Sequence, residues 1–291
     1  HVSGDHYTIS EAWLDRVQEV LDYAVDDDMY VILNIHHDTD KEYCYPDKEH
    51  LEQSLSYMTF IWEQLADRFG DYDEHVIFES INEPRLVETD HEWWLDMNAA
   101  ECVEAVECIN EWNQNFVDVV RKTGGNNATR YLMVPGYDAS ADGVLNDKFV
   151  LPTDTAENEG KILVSVHAYI PYHFALQAAT ENESIDQFNA SEKTSTNDID
   201  QMMEKLYAKY ISNEIPVVIG EFGARDKNGN LQSRVDYAAY YIAAARAYGM
   251  SCNWWDNNAF TGDGELFGLL DRKTVTWRYP RIVDALMKYA E

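Results

Sequence analysis

The chain has 291 residues, 45% of them hydrophobic, enough to bury one large core and to exclude a mainly disordered state. Twenty-two Lys and Arg stand against 53 Asp and Glu, a net charge of -31 that repels nucleic acid and anionic membranes but not neutral sugars. No apolar run approaches the ~18 residues of a membrane span, and the opening His1-Val-Ser-Gly lacks the basic and apolar regions of a signal peptide.

The first periodic signal is Ala12, Trp13, Leu14, Val17, Val20, Leu21, Ala24 and Val25. This stripe at i, i+3, i+4 spacing follows the capping candidates Thr8 and Ser10 and predicts a helix. Asp26-Asp27-Asp28 breaks it, and Met29 to Ile35 then runs apolar, as a strand buried on both faces should. The alternation recurs with a helix over about 50–69, a strand over His75 to Ile81, a helix over about 100–123 and a strand over Tyr131 to Pro135. Buried strands follow at Ile162 to Val166, Pro216 to Ile219 and Met250 to Trp254, with helices over about 198–211, 233–248 and 279–289.

These make six strand–helix units in one domain, 1–291, without a linker or repeat. Strict alternation implies an α/β fold with a parallel sheet, either doubly wound or closed as a barrel. Thr153 to Gly160 and Thr180 to Asn197 read as loop insertions. Cys44, Cys102, Cys108 and Cys252 have neither disulfide-framework nor metal spacing and read as structural thiols. The sequons at Asn127, Asn182 and Asn189 are triplets that chance supplies in a polar chain.

Each strand ends in a polar cluster: Asn34 with His36-His37-Asp38, Asn82-Glu83-Pro84, Tyr137-Asp138, His167-Ala-Tyr169, Glu221-Phe-Gly223 and Trp254-Trp255-Asp256-Asn257. In parallel α/β folds the carboxyl ends of the strands build the active site. A carboxylate closing an apolar strand is expensive without a defined job, so Glu83 and Glu221 stand out. Two such groups fit glycoside hydrolysis, retaining when the carboxyls are about 5–5.5 Å apart and inverting when they are farther apart. His36 and His37 are neighbours, so on a strand only one of them can face the cleft. Asp38 reads as a loop cap, Glu79 as a hydrogen-bonded packing residue, and Trp93-Trp94 as either an outer sugar subsite or a pin for their loop. No H-x-H or H-E-x-x-H pattern supports a metal site, and no cofactor is expected.

Five segments in order carry a family resemblance: Val31-Ile-Leu-Asn-Ile-His-His-Asp38, Phe78-Glu-Ser-Ile-Asn-Glu-Pro84, Ser165-Val-His-Ala-Tyr169, Val218-Ile-Gly-Glu-Phe-Gly223 and Asn253-Trp-Trp-Asp-Asn257. Over nearly its whole length the chain resembles the cellulase-type glycoside hydrolases of family 5. The resemblance implies a TIM-type (β/α)8 barrel of which the third to eighth strands are present and the first two are lacking. It implies an endo-β-1,4-glucanase acting with retention, with xyloglucan, mixed-linkage glucan and mannan as further substrates and a sugar-binding pseudoenzyme as the alternative. Glu83 is then the acid/base, Glu221 the nucleophile, and Asn82 the partner of the sugar 2-hydroxyl. His36 or His37 lines the neighbouring subsite, His167 and Tyr169 flank the glutamates, and Trp255 is the stacking platform. An arginine that supports the nucleophile in family members has no match here. Open outer strands predict association of copies of the chain, and the family implies secretion.

Overall fold

A short antiparallel hairpin, β1 (Val2–Ser3) with β2 (Thr8–Ile9), leads into α1 (Glu11–Asp26). The Trp13 backbone N–H donates to the Ser10 side chain at 3.2 Å, so Ser10 is the cap and Thr8 belongs to the hairpin. The computed structural model describes residues 2–4, 7–262 and 264–290. Only Leu14 and Leu21 of the predicted stripe are buried, and Trp13 and Val20 stay 41% and 48% exposed.

Past the turn at Asp28 come β3 (Val31–Asn34), α2 (Leu51–Arg68), β4 (Val76–Glu79), α3 (Ala100–Lys122), β5 (Leu132–Pro135), the short α4 (Ala141–Leu145) and β6 (Ile162–His167). Strands β3 to β6 pair in parallel in chain order, with Val31 opposite Val76, Phe78 opposite Leu132 and Leu132 opposite Ile162. β4 and β5 are wholly buried, whereas β3, the outer strand of the order, is half-buried along its length, short of the two-sided burial its apolar run predicts.

The core of this part is Trp62, with ring contacts to Phe78 (5.3 Å) and Phe116 (4.6 Å) that tie α2 and α3 to β4. Each such buried aromatic contributes about 2–3 kcal/mol. The indole N–H of Trp62 is satisfied by the Ser80 carbonyl at 2.9 Å. At the opposite ends of β4 and β5 the buried Arg130 donates to the carbonyls of Phe69, Gly70, Tyr72, Asp73 and Val76 and to Asn127 Oδ1. Burial pushes the Arg130 guanidinium down to about 10. Asn127 Nδ2 donates to Ala66 O and Thr123 Oγ1, so the first sequon is a core staple. Within the predicted insertion Thr153 to Gly160, Asp154 is nearly buried and pairs with Arg121 at 2.8 Å.

β6 straddles the boundary between two compact units, the first ending at Ser165 and the second starting at Val166. The second unit continues with α5 (Tyr172–Ala175), α6 (Lys193–Lys209), β7 (Val217–Phe222), α7 (Leu231–Ala247), β8 (Ser251–Trp254), the antiparallel pair β9 (Leu270–Asp271) and β10 (Thr276–Trp277), and α8 (Pro280–Ala290). β7 and β8 are parallel, and the hydrogen-bonded order of the six long strands follows the chain from β3 to β8. The fold is α/β, with the six strand–helix units expected. α6 begins inside the stretch predicted as loop, because its first turn is polar and its buried face starts only at Thr196. The core here is aromatic: Phe222 stacks on Tyr241 at 4.3 Å, and Tyr237 packs on Phe174, Phe188 and Tyr241. All four cysteines are free, and burial raises the thiols of Cys44, Cys102, Cys108 and Cys252.

Candidate active site

In the first unit β3 stops at Asn34, so His36 and His37 lie in the following loop, where strand alternation does not apply. Their rings meet edge to face at 4.4 Å and do not point to opposite sides, with His36 half-buried and His37 exposed. Asp38 accepts the Tyr57 hydroxyl at 2.5 Å, the loop-anchoring role expected of it, and burial together with Asp38 drives the Tyr57 hydroxyl well above its usual range.

Glu79, the last residue of β4, accepts Asn34 Nδ2 at 2.7 Å and Ser165 Oγ at 2.5 Å, which commits both carboxylate oxygens to packing. Asn82 is buried, and its backbone N–H donates to Ile35 O at 2.8 Å, holding it beside the end of β3. Glu83 is half-buried just beyond the end of β4, within the reach of Arg85. The Arg85 Nη1 donates to the Glu83 carbonyl at 2.9 Å and lies 3.7 Å from Glu83 Oε2.

The end of β5 braces this turn. Tyr137 OH accepts from Leu86 N and donates to His91 O, and Asp138 N donates to Pro84 O at 2.7 Å. Asp138 and Ala139 both have positive φ, 55° and 45°, a strained pair of non-glycine residues next to candidate chemistry. Glycine is required nearby, since a Cβ on Gly136 would lie 2.4 Å from the Gly143 backbone and one on Gly143 would lie 2.2 Å from Tyr137 O.

In the second unit three predicted residues meet. Glu221 lies within β7 and is 9% exposed. Its Oε2 accepts the Tyr169 hydroxyl at 2.6 Å and is 3.7 Å from Nδ1 of His167, the last residue of β6. The backbone locks them together, with Ala168 N on Glu221 O at 2.9 Å and Tyr241 OH on Ala168 O at 3.0 Å. A hydroxyl bond this short to a nearly buried carboxylate fixes its orientation and favours its ionised form. Trp254 is committed to packing: its Nε1 donates to Phe267 O at 3.1 Å and its ring meets Phe222 at 5.4 Å. Trp255 is half-buried, and its backbone N–H donates to Phe222 O at 2.9 Å.

Residues 1–261 match the family described as Cellulase (glycosyl hydrolase family 5). The chain belongs to this family. Endoglucanase B of Ruminococcus albus is 42% identical to the family 5 chain over 100% of it and 66% of the relative. Endoglucanase B of Neocallimastix patriciarum is 42% identical over 97% of this chain and 55% of its own length. The chain thus spans less than two thirds of these curated relatives. Among solved structures, a family 5 lichenase from Caldicellulosiruptor sp. F32 in complex with cellotetraose is 59% identical with a TM-score of 0.99, covering 100% of this chain and 78% of that one. A broad specificity endoglucanase from Ruminococcus champanellensis with bound cellotriose is 44% identical with a TM-score of 0.88, covering 99% and 78%.

The family 5 chain also uses residues that sequence reasoning passes over. Asp256 accepts Leu269 N and Asn258 N on Oδ1 and Leu270 N on Oδ2, so one carboxylate shapes the loop behind Trp255. The buried Lys227 donates to His173 O, Ser184 Oγ and Ile185 O, tying the segment after β7 to α5 and the segment that follows it, and burial lowers its amine to about 8. Arg234 is fully buried in α7, donates Nε to Ala224 O at 2.9 Å, and is lowered by that burial. Arg85 carried one available signal, a cation two positions after a candidate acid. The others act through backbone contacts that no motif records.

Proposed function

We propose that the chain is the catalytic domain of a secreted, retaining endo-β-1,4-glucanase in which Glu221 is the nucleophile and Glu83 the acid/base. The observation that carries this is the buried Glu221 carboxylate held at 2.6 Å by Tyr169 at the strand end where a family 5 chain has its chemistry. Glu221 attacks the anomeric carbon while Glu83 gives its proton to the departing glycosidic oxygen, leaving a glycosyl ester. Glu83, now a base, takes a proton from water as that water displaces Glu221. Asn82 holds the 2-hydroxyl, His36 or His37 lines the adjacent subsite, His167 supports Glu221, and Trp255 stacks under a sugar ring, its neighbour Trp254 being occupied in the core.

The relative crystallised with cellotetraose is named a lichenase, which favours mixed-linkage glucan as a second substrate beside β-1,4-glucan. Initial rates of reducing-sugar release from carboxymethyl cellulose and from mixed-linkage β-glucan test the proposal, with Glu221→Ala as control. Rates should fall at least about 10⁴-fold in the variant. Equal rates in both proteins remove the nucleophile assignment, and oligosaccharide binding without turnover by the unaltered chain favours a sugar-binding protein. The incomplete cover of β3 and β8 supports association of a second copy along those strands. A monodisperse monomer in light scattering at micromolar concentration removes that part.

A further inference from the structure

Arg85 sits in a site built for it. Its Cζ lies 4.0 Å from the ring of Trp93, its Nε is 3.4 Å from Glu92 Oε1, and its Nη1 reaches the Glu83 carbonyl at 2.9 Å and Glu83 Oε2 at 3.7 Å. The support is itself fixed: Glu92 Oε2 accepts Glu88 N at 3.0 Å, Thr89 Oγ1 donates to Leu86 O at 2.8 Å, and Tyr137 clasps Leu86 N and His91 O. Trp93 is 52% exposed, and one face of its ring is occupied by Arg85. A guanidinium stacked on indole and bridging two carboxylates has lost the freedom of an ordinary surface arginine.

We propose that Arg85, braced by Trp93 and Glu92, is a positioning residue that fixes the direction of the Glu83 carboxyl and opposes its proton affinity during turnover. This rests on the acid/base role of Glu83 given above. The charged groups acting on Glu83 include Arg85 on its own segment, Glu92 through Arg85, and, under the proposed function, Glu221 with His167. Negative charge on Glu221 favours the protonated acid in the first step. Once Glu221 is esterified that charge is gone, and the Arg85 cation draws Glu83 toward the carboxylate that the second step needs. Arg85 therefore sets the alkaline edge of activity and the ease of the switch from acid to base.

The test is the pH dependence of kcat/KM between pH 4 and 10 on dinitrophenyl and p-nitrophenyl β-cellobiosides, for Arg85→Met, Arg85→Lys, Trp93→Ala and Glu83→Ala, with circular dichroism as a folding check. On the p-nitrophenyl substrate Arg85→Met should move the basic limb upward by about 0.5–1 pH unit and lower the optimum rate about tenfold. Arg85→Lys keeps the charge without the flat stack, so its limb stays near that of the unaltered protein while the rate stays low. Trp93→Ala, which loosens the brace and leaves the cation, should move the limb the same way as Arg85→Met by a smaller step. A folded Arg85→Met with reduced rate and an unmoved limb overturns the proposal. If that variant does not fold, an unmoved limb in Trp93→Ala does so. Glu83→Ala separates the underlying reading. It should lose the basic limb, and azide should restore turnover of the dinitrophenyl substrate by displacing Glu221 from the ester to give the β-glycosyl azide. A retained limb there removes the Glu83 assignment, whereas loss of the limb with an unmoved Arg85→Met removes only Arg85.

Discussion

Replacing Tyr169 with Phe deletes one atom from a short contact to Glu221. The hydroxyl is 2.6 Å from Glu221 Oε2, while the ring packs on the buried Phe267 at 5.2 Å. That packing keeps the ring in place, so the change is confined to the hydrogen bond. A short O–H donor to a buried carboxylate contributes about 1.5–3 kcal/mol, and every ~1.4 kcal/mol is tenfold in rate. We expect kcat/KM at neutral pH to fall roughly 10- to 100-fold. The bond favours the ionised form of Glu221, so under the proposed function its loss moves the acid limb of the pH–rate profile upward by about one to two pH units. The assay is initial-rate release of nitrophenol from an aryl β-cellobioside across pH 4–9, with reducing-sugar release from mixed-linkage glucan as a second readout. A variant within twofold of the unaltered protein, with its acid limb unmoved, refutes the view that Tyr169 holds the nucleophile.

Arg130→Met removes the donors to five backbone carbonyls and should cost about 3–5 kcal/mol, read as a lower urea midpoint. Burial pushes Asp154 up, but the Arg121 pair, Asn158 and Thr155 N together hold it below its ordinary range. A carboxylate lowered in the folded state adds stability above its unfolded pKa and loses it as pH falls through the folded one. Asp154→Asn should therefore cost about 3 kcal/mol at neutral pH and flatten the loss of stability below about pH 4, as followed by acid-unfolding fluorescence. Asp256→Ala frees three backbone N–H groups behind Trp255 and should raise KM more than it lowers kcat, with faster proteolysis between residues 257 and 270. Gly143→Ala forces a Cβ to 2.2 Å from Tyr137 O and should lower the thermal midpoint by the equivalent of about 3 kcal/mol.

The strands were legible because β4, β5 and β7 are built on apolar runs of strand length, with Glu83 following β4 and Glu221 the next-to-last residue of β7. α6 was legible only in part, since its first turn is hydrophilic and carries no period. The two histidines were misread because β3 is shorter than its apolar run: the backbone leaves the sheet at Asn34 although Ile35 remains buried. In α1, Trp13 and Val20 match the helical period yet remain exposed, because periodicity gives a helix its face but not the surface that meets it. Arg130 and Lys227 stand in no motif, while Arg85 beside the candidate acid and Asp256 beside the tryptophan pair were visible without their contacts being so. Most of their partners are backbone carbonyls and amides, which every sequence shares, and the side chains they meet, such as Glu92, Trp93 and Ser184, belong to no motif with them.

The Arg130 staple and the Glu83 turn occupy opposite ends of β4, a strand of four residues and so about 13 Å. One end gathers carbonyls around a cation to hold the protein together, and the other sets the strained pair Asp138 and Ala139 against the turn that carries Glu83. An engineer can therefore treat them as separate parts. Loops between β4 and β5 at the Arg130 end are open to stabilising redesign without disturbing Glu83, while, under the proposed function, substrate preference can be altered from the Glu83 end without dismantling the staple that keeps the scaffold folded.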